Sequence, residues 1–276
     1  MKRIFYWVAT GLIVLESAAG SEWDLVRTAF VRGIFDRLGY PYYLLTILGI
    51  WKVLAVVALL VPRYPRVKEW AYTGLFLVYS GAVASHLFAG DTAGAWGPLG
   101  LALITVASWA LRPASRRLSE EAPGVQGAPG VPGAPGVPGA DPAVSGADPA
   151  VSGAARRAHW SYWVITALLA LIFISGGATQ LARVKDNVDG FVRLGYPVYF
   201  LSIVGFWKVL GGLCVILPRL RVPKEWAYAG IVFAMSGAAV SNAVSGMPWW
   251  HVLVNLIILG LGVASWALRP ASRRIG

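Results

Sequence analysis

Residues 42–61 read YYLLTILGIWKVLAVVALLV, and residues 198–217 read VYFLSIVGFWKVLGGLCVIL. Each stretch is almost wholly apolar, has the length of about 20 residues that a helix needs to cross a bilayer, and carries one charge near its middle, Lys52 or Lys208. Both stretches therefore predict membrane-crossing helices, and their shared Trp-Lys-Val-Leu indicates that one is a copy of the other.

The repetition extends outward from these two stretches. Three further segments of the first half return in the second half: GYP 39–41 at 195–197, KEWAY 68–72 at 224–228, and SWALRPASRR 108–117 at 265–274. The spacing is 156 residues for the first two segments and 157 for the last. We therefore predict a tandem duplication, with one copy in residues 1–118 and the other in residues 156–276.

A stretch of different composition, residues 119–155, lies between the copies. It has glycine at every third position over a short run and then GADPAVS twice. The run is too short for a collagen helix, and one chain supplies only one of the three strands. We interpret the stretch as a flexible Pro/Gly-rich linker without fixed structure.

Each copy contains four apolar stretches, which predicts an all-α membrane protein of two tandem four-helix bundles with eight spans. The stretches are residues 4–20, 42–61, 70–89, 95–111, 160–181, 198–217, 226–245 and 248–268. The first resembles a signal peptide, but Glu16 interrupts it and the second copy repeats it internally, so we read it as a retained helix. Residues 23–38 have the apolar spacing of an amphipathic helix on the outer membrane surface.

Composition agrees with a membrane protein, since 57% of the residues are hydrophobic and only 13% are charged, against about 25% charged in soluble domains. The net charge of +11 is interpreted as a topology signal and not as a nucleic-acid surface. Sixteen Lys and Arg residues fall at the termini, the linker and the loops on their side, and six fall in the opposite loops. The positive-inside rule then places both termini and the linker in the cytoplasm.

Residues for self-contained catalysis are scarce. The chain has one cysteine, Cys214, and three histidines, which excludes a disulfide framework and a cysteine-based metal site and leaves little for metal ligation. It contains no Gly-rich phosphate loop, no HExxH and no nucleophile elbow. We expect no metal and no intrinsic cofactor, and whether the protein is an enzyme stays open.

The order of motifs resembles the DoxX-like family of small bacterial four-helix membrane proteins. In the first copy the matching residues are 37–41 (RLGYP), Leu48-Gly49, Lys52, Pro62, 68–72 (KEWAY) and Ser85-His86. In the second copy they are 193–197 (RLGYP), Lys208, Pro218, 224–228 (KEWAY) and Ser241. The second copy departs from the pattern at Asn242, which stands in place of the histidine.

The resemblance implies a multi-pass protein of the bacterial cytoplasmic (inner) membrane. The family is named after a subunit of an archaeal terminal quinol oxidase, so an accessory or quinone-interacting subunit of a membrane oxidoreductase system is the function that it implies. Quinone is then the one cofactor to consider, and other oxidoreductase subunits are the expected partners beside membrane lipid. No set of catalytic residues follows from the resemblance.

The lysines at mid-membrane are the first candidates for a ligand site, because a charge at that depth is costly. On the third helix of each copy, Tyr79 and Ser80, or Met235 and Ser236, lie at the same depth as Lys52 and Lys208. Each lysine either binds an anionic or carbonyl-bearing head group, such as a quinone oxygen, or is held by hydroxyls and carbonyls and only fixes helix register.

Two further polar residues in the first copy are candidates. Glu16 is a second charge inside a span and is a partner for Lys52 only if the lysine side chain reaches outward; its counterpart is Ile172. His86 lies near the outer surface, at the end of a Tyr/His stripe that either lines a ligand cleft or packs against other helices. A redox or proton role for His86 and a function specific to the first copy for Glu16 both stay open.

The KEWAY motif marks the start of the third helix in each copy. Its polar members are Lys68, Glu69 and Tyr72 in the first copy and Lys224, Glu225 and Tyr228 in the second. We expect the two carboxylates to be stabilised by the free amides and the dipole at the helix start.

Three functional classes therefore remain: a quinone-interacting oxidoreductase subunit, a non-enzymatic lipid or hydrophobic-metabolite binding or carrier protein, and a structural membrane partner. Because each copy has an even number of spans, both insert in the same direction. The copies are expected to pack as an intramolecular pseudo-dimer, through residues 211–212 or 236–237.

Overall fold

The computed structural model describes residues 1–118, 149–270 and 273. Within these residues the fold is all-helical, and each copy supplies five helices. The first copy forms α1 (Lys2–Val26), α2 (Ala29–Leu38), α3 (Tyr43–Leu60), α4 (Pro65–Phe88) and α5 (Trp96–Ala110). The second copy forms α6 (Pro149–Leu181), α7 (Lys185–Arg193), α8 (Phe200–Ile216), α9 (Arg221–Val244) and α10 (Trp249–Ala267).

Six of the described helices are long and apolar enough to cross a membrane: α1, α3, α4, α6, α9 and α10. The prediction of an all-helical, multi-pass membrane protein is thereby confirmed. The prediction of eight spans is not, because α5 and α8 have only 15 and 17 residues. α3, the counterpart of α8, has 18 residues, so the two equivalent helices differ in length by only one residue.

The predicted linker falls mostly outside the described residues, which omit 119–148. The helix α6 begins at Pro149, inside the stretch that the sequence assigned to the linker.

The predicted amphipathic helix at 23–38 is divided in two. α1 continues to Val26, the chain turns at Arg27 with a φ of 55°, and α2 then runs as a separate helix. Gly39, at a φ of 73°, ends α2 by donating to the carbonyl oxygen of Asp36, in a backbone conformation that costs glycine little. We call the membrane side of α2 and α7 the amphipathic-helix side, and the opposite side the terminus side.

The two copies build the same core. In the first copy α1 and α4 each pack against α3 and α5, around Ile13, Leu59, Tyr72 and Leu75. Their counterparts form the second core and are Leu169, Val215, Tyr228 and Ile231. Each core position lies 156 residues from its equivalent, so the sequence repeat is also a structural repeat.

The copies pack on each other along α4 and α9, which confirms the predicted intramolecular pseudo-dimer. The contacts are reciprocal: Tyr43 Oη donates to the carbonyl oxygen of Leu194, and Tyr199 Oη donates to that of Leu38, each at 2.6 Å. Because equivalent residues exchange equivalent bonds, the copies are related by an approximate two-fold axis.

Small residues allow a close approach at the boundary between the copies, which we call the seam. A Cβ added to Gly237 lies 2.9 Å from Trp51 Cη2 of the other copy, so the expectation for residues 236–237 agrees with the structure at this glycine. The expectation for 211–212 is wrong, because Gly212 packs against Ile174 and Ala170 within its own copy.

Candidate functional site

A cavity of about 1170 Å³ lies between the two copies and is the candidate ligand site. Its walls are mainly apolar, and both copies contribute to them; Trp51 of α3 and Trp207 of α8 line it as equivalent residues. Ligand pockets in proteins usually measure about 300–1,000 Å³. The cavity is therefore large enough for a small amphipathic molecule.

Lys52 lines this cavity but is neutralised by its own copy. Its Nζ lies 2.9 Å from Oδ2 of Asp24, and the exposed fractions of the two side chains are 12% and 7%. Glu16, a partner for Lys52 only if the lysine side chain reached outward, forms no ion pair with it in the described structure, where Asp24 is the partner. Because α1 continues to Val26, it carries Asp24 on its last turn, beside the lysine.

Glu16 and Tyr79 are brought together instead. The Tyr79 hydroxyl donates to Glu16 Oε2 and lies 3.0 Å from Ser17 Oγ. Both Glu16 and Tyr79 line the cavity. The first copy thus presents an acidic, hydrogen-bonded wall made of Glu16, Tyr79, Asp24 and Lys52.

Ser80 and Ser236 do not hold the lysines. The Ser80 hydroxyl lies 3.4 Å from the carbonyl oxygen of Leu77, and Ser236 donates to that of Val232 at 2.7 Å. Each serine thus bonds within its own helix, as hydroxyls commonly do in helices. The interpretation that these hydroxyls fix the lysines is not supported by the geometry.

Lys208 lines the same cavity in a different electrostatic setting. The polar residues that pair with Lys52 or are hydrogen-bonded to one another near it are all replaced in the second copy: Glu16 by Ile172, Ser17 by Phe173, Asp24 by Gln180 and Tyr79 by Met235. In the part of the chain that the structure describes, no ion pair or hydrogen bond reaches Lys208 Nζ. Lys208 Nζ makes a cation–π contact with the Phe173 ring, whose centroid is 6.0 Å away.

Two buried ion pairs close the seam on the terminus side. Arg112 Nη2 lies 2.7 Å from Glu69 Oε1, and Trp109 Nε1 donates to Glu69 Oε2 at 2.8 Å. Trp226 of the other copy donates to the same oxygen at 3.1 Å.

The second copy repeats this arrangement. Glu225 pairs with Arg269 at 2.7 Å and accepts from Trp266 at 3.0 Å and from Trp70 at 3.4 Å. Glu69 and Glu225 were expected at the start of their helices. They lie past the first turn and are buried among these donors, so the helix dipole does not explain them.

Sequence reasoning missed the role of Arg112 and Arg269, which we had counted as topology signals. The clue was available, because both arginines belong to SWALRPASRR, which is part of the longest unchanged repeat, residues 106–117 and 263–274.

The lysines of the KEWAY motif cap neighbouring helices. Lys68 Nζ donates to the carbonyl oxygens of Ala58 and Leu59, at 2.9 and 3.2 Å, and to that of Val61. These groups lie at the end of α3, where helix carbonyls lack partners within the helix. Lys224 does the same at the end of α8, through Cys214 and Leu217.

The tyrosines of the motif belong to the cores and not to the cavity. Tyr72 Oη lies 2.8 Å from Ser108 Oγ, which in turn lies 2.8 Å from Thr10 Oγ1. Tyr228, Ser265 and Thr166 form the same chain in the second copy, with the same two distances. All six KEWAY residues singled out from sequence are thus explained by helix packing.

His86 also lines the cavity, on the amphipathic-helix side. Its Nδ1 lies 2.9 Å from Asp91 Oδ2, and Asp91 Oδ1 accepts from the Gly94 amide at 3.0 Å. The Gly94 amide, and after it His86, hold the pKa of the Asp91 carboxyl below its usual value. Asn242, in the place of the histidine, bonds within its own helix to Ala238.

Metal ligands do not cluster in the described part of the chain, where no group of three or more His, Cys, Asp or Glu side chains is placed to hold an ion. The polar groups facing the cavity are instead single cations, carboxylates, amides and hydroxyls. Such groups bind and orient a ligand through hydrogen bonds and charge.

These features define a duplicated, multi-pass helical membrane protein with a cavity between its two halves. The chain belongs to the DoxX-like family, whose model matches residues 8–108 and again residues 164–265. The two matches fall one on each copy, which confirms the tandem duplication. Comparison with curated proteins gave no match, and comparison with solved structures gave none.

Proposed function

We propose that the protein binds an amphipathic small molecule in the cavity between its two copies. The observation that carries this proposal is Lys208, a cation without an acidic partner in the described structure that faces an apolar cavity of about 1170 Å³. A charge at membrane depth is costly unless something neutralises or hydrogen-bonds it. A ligand with an apolar body and an oxygen-bearing head supplies the missing acceptor.

A quinone is the second candidate occupant of the cavity. If a quinone is the ligand, the proposed role of the protein is that of an accessory subunit of a membrane oxidoreductase system. Lys208 and the aromatic lining of the cavity favour a quinone beside family membership. A lysine can donate a hydrogen bond to a quinone carbonyl, and aromatic side chains pack well against its ring. Trp51 packs on Phe233 at 5.3 Å and Trp207 on Phe76 at 5.9 Å between ring centroids, and all four side chains line the cavity.

The experiment is extraction under mild conditions, followed by mass spectrometry of the molecules that copurify. Wild type is compared with Lys208→Met and with the exposed-residue control Lys2→Met. A stoichiometric amphiphile in wild type and in the control, absent from Lys208→Met, supports the proposal, and its mass separates a quinone from a lipid. The same bulk phospholipid in all three samples contradicts it.

We further propose eight spans in a bacterial cytoplasmic membrane, with both termini and the linker in the cytoplasm. The excess of Lys and Arg on the terminus side supports this topology, as does the counterpart relation between α8 and the span α3. Since Cys214 is the only cysteine, Cys214→Ala gives a background for single reporter cysteines. Reporters at Thr92 and Tyr64 should be labelled from opposite sides, and labelling of both from one side contradicts the topology.

A further inference from the structure

The two copies place the same lysine in opposite electrostatic settings. Lys52 forms an ion pair with Asp24 at 2.9 Å, whereas Gln180 occupies the position of Asp24 in the second copy. In the described residues, the lysine of the first copy is therefore neutralised by an acidic side chain, and the lysine of the second copy has no such partner. An uncompensated cation facing an apolar cavity calls for an anion from outside the chain.

Gln180 and Lys208 border the same helix crossing. A Cβ added to Gly177, one turn before Gln180, lies 3.0 Å from Lys208 Cβ. A Cβ added to Gly205, one turn before Lys208, lies 3.2 Å from Gln180 Cβ. The crossing of α6 and α8 thus sets the two side chains beside each other, as the crossing of α1 and α3 sets Asp24 beside Lys52.

The side-chain oxygen of Gln180 has no hydrogen-bond partner among the residues that the structure describes. The residue is 5% exposed and lines the cavity, and its Oε1 is buried without a hydrogen bond in the described structure. Leaving a buried polar atom unsatisfied costs about 1–3 kcal/mol. An amide offers an NH₂ group with two N–H donors and an oxygen acceptor. Rotation of the terminal amide of Gln180 by half a turn therefore presents either the NH₂ group or the oxygen to a ligand.

We propose that Lys208 and Gln180 form the head-group site for an apolar molecule that ends in an oxyanion, a carboxylate or a phosphate. The site belongs to the second copy alone, because the corresponding lysine of the first copy, Lys52, already forms an ion pair with Asp24. Lys208 neutralises the anion, Gln180 hydrogen-bonds it, and the cavity between the copies holds the apolar body. The inference rests on the proposed function and adds the class of ligand and the copy that binds it.

The test measures equilibrium binding to the full chain in detergent, with labelled palmitate as the carboxylate probe and methyl palmitate as its neutral match. Phosphatidic acid is the phosphate probe and phosphatidylcholine its zwitterionic control. We expect palmitate or phosphatidic acid, or both, to bind at least about tenfold more tightly than the matched control, since hydrogen bonds to charged groups are worth about that factor or more. The two anionic probes distinguish a fatty acid from a phospholipid as the source of the oxyanion.

Exchanging the diverged residues gives the sharpest variants. Gln180→Asp gives Lys208 the internal partner that Lys52 has, and should lower anion affinity at least about tenfold while keeping the lysine in place. The double variant Glu16→Ile/Asp24→Gln gives the first copy the residues that the second copy has at both acidic positions, and it should create a second stoichiometric anion site beside Lys52. The double variant Lys52→Met/Asp24→Asn removes the internal ion pair of the first copy and should lower anion affinity less than Gln180→Asp does.

The outcomes separate the inference from the proposed function on which it rests. Equal binding of palmitate and methyl palmitate, with phosphatidic acid no better than phosphatidylcholine, overturns the oxyanion head and leaves amphiphile binding standing. Unchanged anion affinity in Gln180→Asp, or an equal loss in Lys52→Met/Asp24→Asn, overturns the assignment to the second copy. Binding of no probe by wild type contradicts the proposed function itself. A size-exclusion profile like that of wild type shows that each variant is folded.

Discussion

Trp226 Nε1 of the second copy lies 3.1 Å from Glu69 Oε2 of the first, across the seam. The same oxygen accepts from Trp109 of its own copy at 2.8 Å. One buried carboxylate therefore links the core of one copy to the surface of the other. It also neutralises Arg112, whose guanidinium is almost fully buried, so its removal affects the bundle and the seam together.

Replacing Glu69 by glutamine should destabilise the protein strongly. The Glu69→Gln variant keeps an oxygen for the two indoles but leaves the Arg112 guanidinium buried without a counter-charge, and breaking a buried pair in this way costs about 3–5 kcal/mol. The measurement is the thermal unfolding midpoint in detergent, followed by tryptophan fluorescence. Glu22→Gln, at an exposed position of α1, is the control, and equal midpoints for the two variants would refute the role of the pair.

The two hydroxyls that cross the seam should contribute similar amounts. Tyr43→Phe and Tyr199→Phe each remove one hydrogen bond to a carbonyl of the other copy, worth about 0.5–1.5 kcal/mol. The same unfolding assay should show the two losses adding in the double variant. Tyr64→Phe alters an exposed ring, 60% accessible, and should change nothing; a loss as large as in the seam variants would argue against the reciprocal contact.

The equivalent glycines Gly81 and Gly237 should respond to alanine in opposite directions. A Cβ at Gly237 meets Trp51 Cη2 at 2.9 Å, whereas a Cβ at Gly81 meets nothing within 4 Å. We expect Gly237→Ala to cost about 1–3 kcal/mol through overpacking. Gly81→Ala should gain up to about 1 kcal/mol from helix propensity. A stabilised Gly237→Ala variant would show that the seam is looser than described.

Acid should release the turn after α4. The pKa of Asp91 is held below its ordinary value of 3.8 by the Gly94 amide and then by His86. A carboxyl whose pKa is lowered by folding stabilises the folded state at pH values above its pKa in the unfolded chain. This contribution is lost as the pH falls through the pKa of the folded state. The Gly94 amide shift in an NMR titration should therefore move with a midpoint below 3.8, and Asp91→Asn should abolish the transition. A midpoint above that value would contradict the contact.

The bundles and their duplication were predictable because they depend on local apolar runs and on exact sequence repetition. The polar contacts were less so. Ending the first span at Gly20 placed Asp24 in a surface helix, whereas the continuation of α1 to Val26 makes it the partner of Lys52. Arg112 and Glu69 are 43 residues apart in the chain, and a single sequence carries no signal for such a pairing except the repetition of both motifs.

Joining the two halves in one chain has a consequence for how they change. In a pair of identical subunits every substitution appears on both sides of the axis, so an aspartate beside one lysine is an aspartate beside both. Here each position is encoded twice, and Asp24 and Gln180 have been able to diverge while the reciprocal tyrosine and tryptophan bonds at the seam have not. The covalent connection also fixes the two halves in equal number. Every molecule therefore contains the asymmetric pair, whereas two separate unlike subunits would also have to avoid forming homodimers.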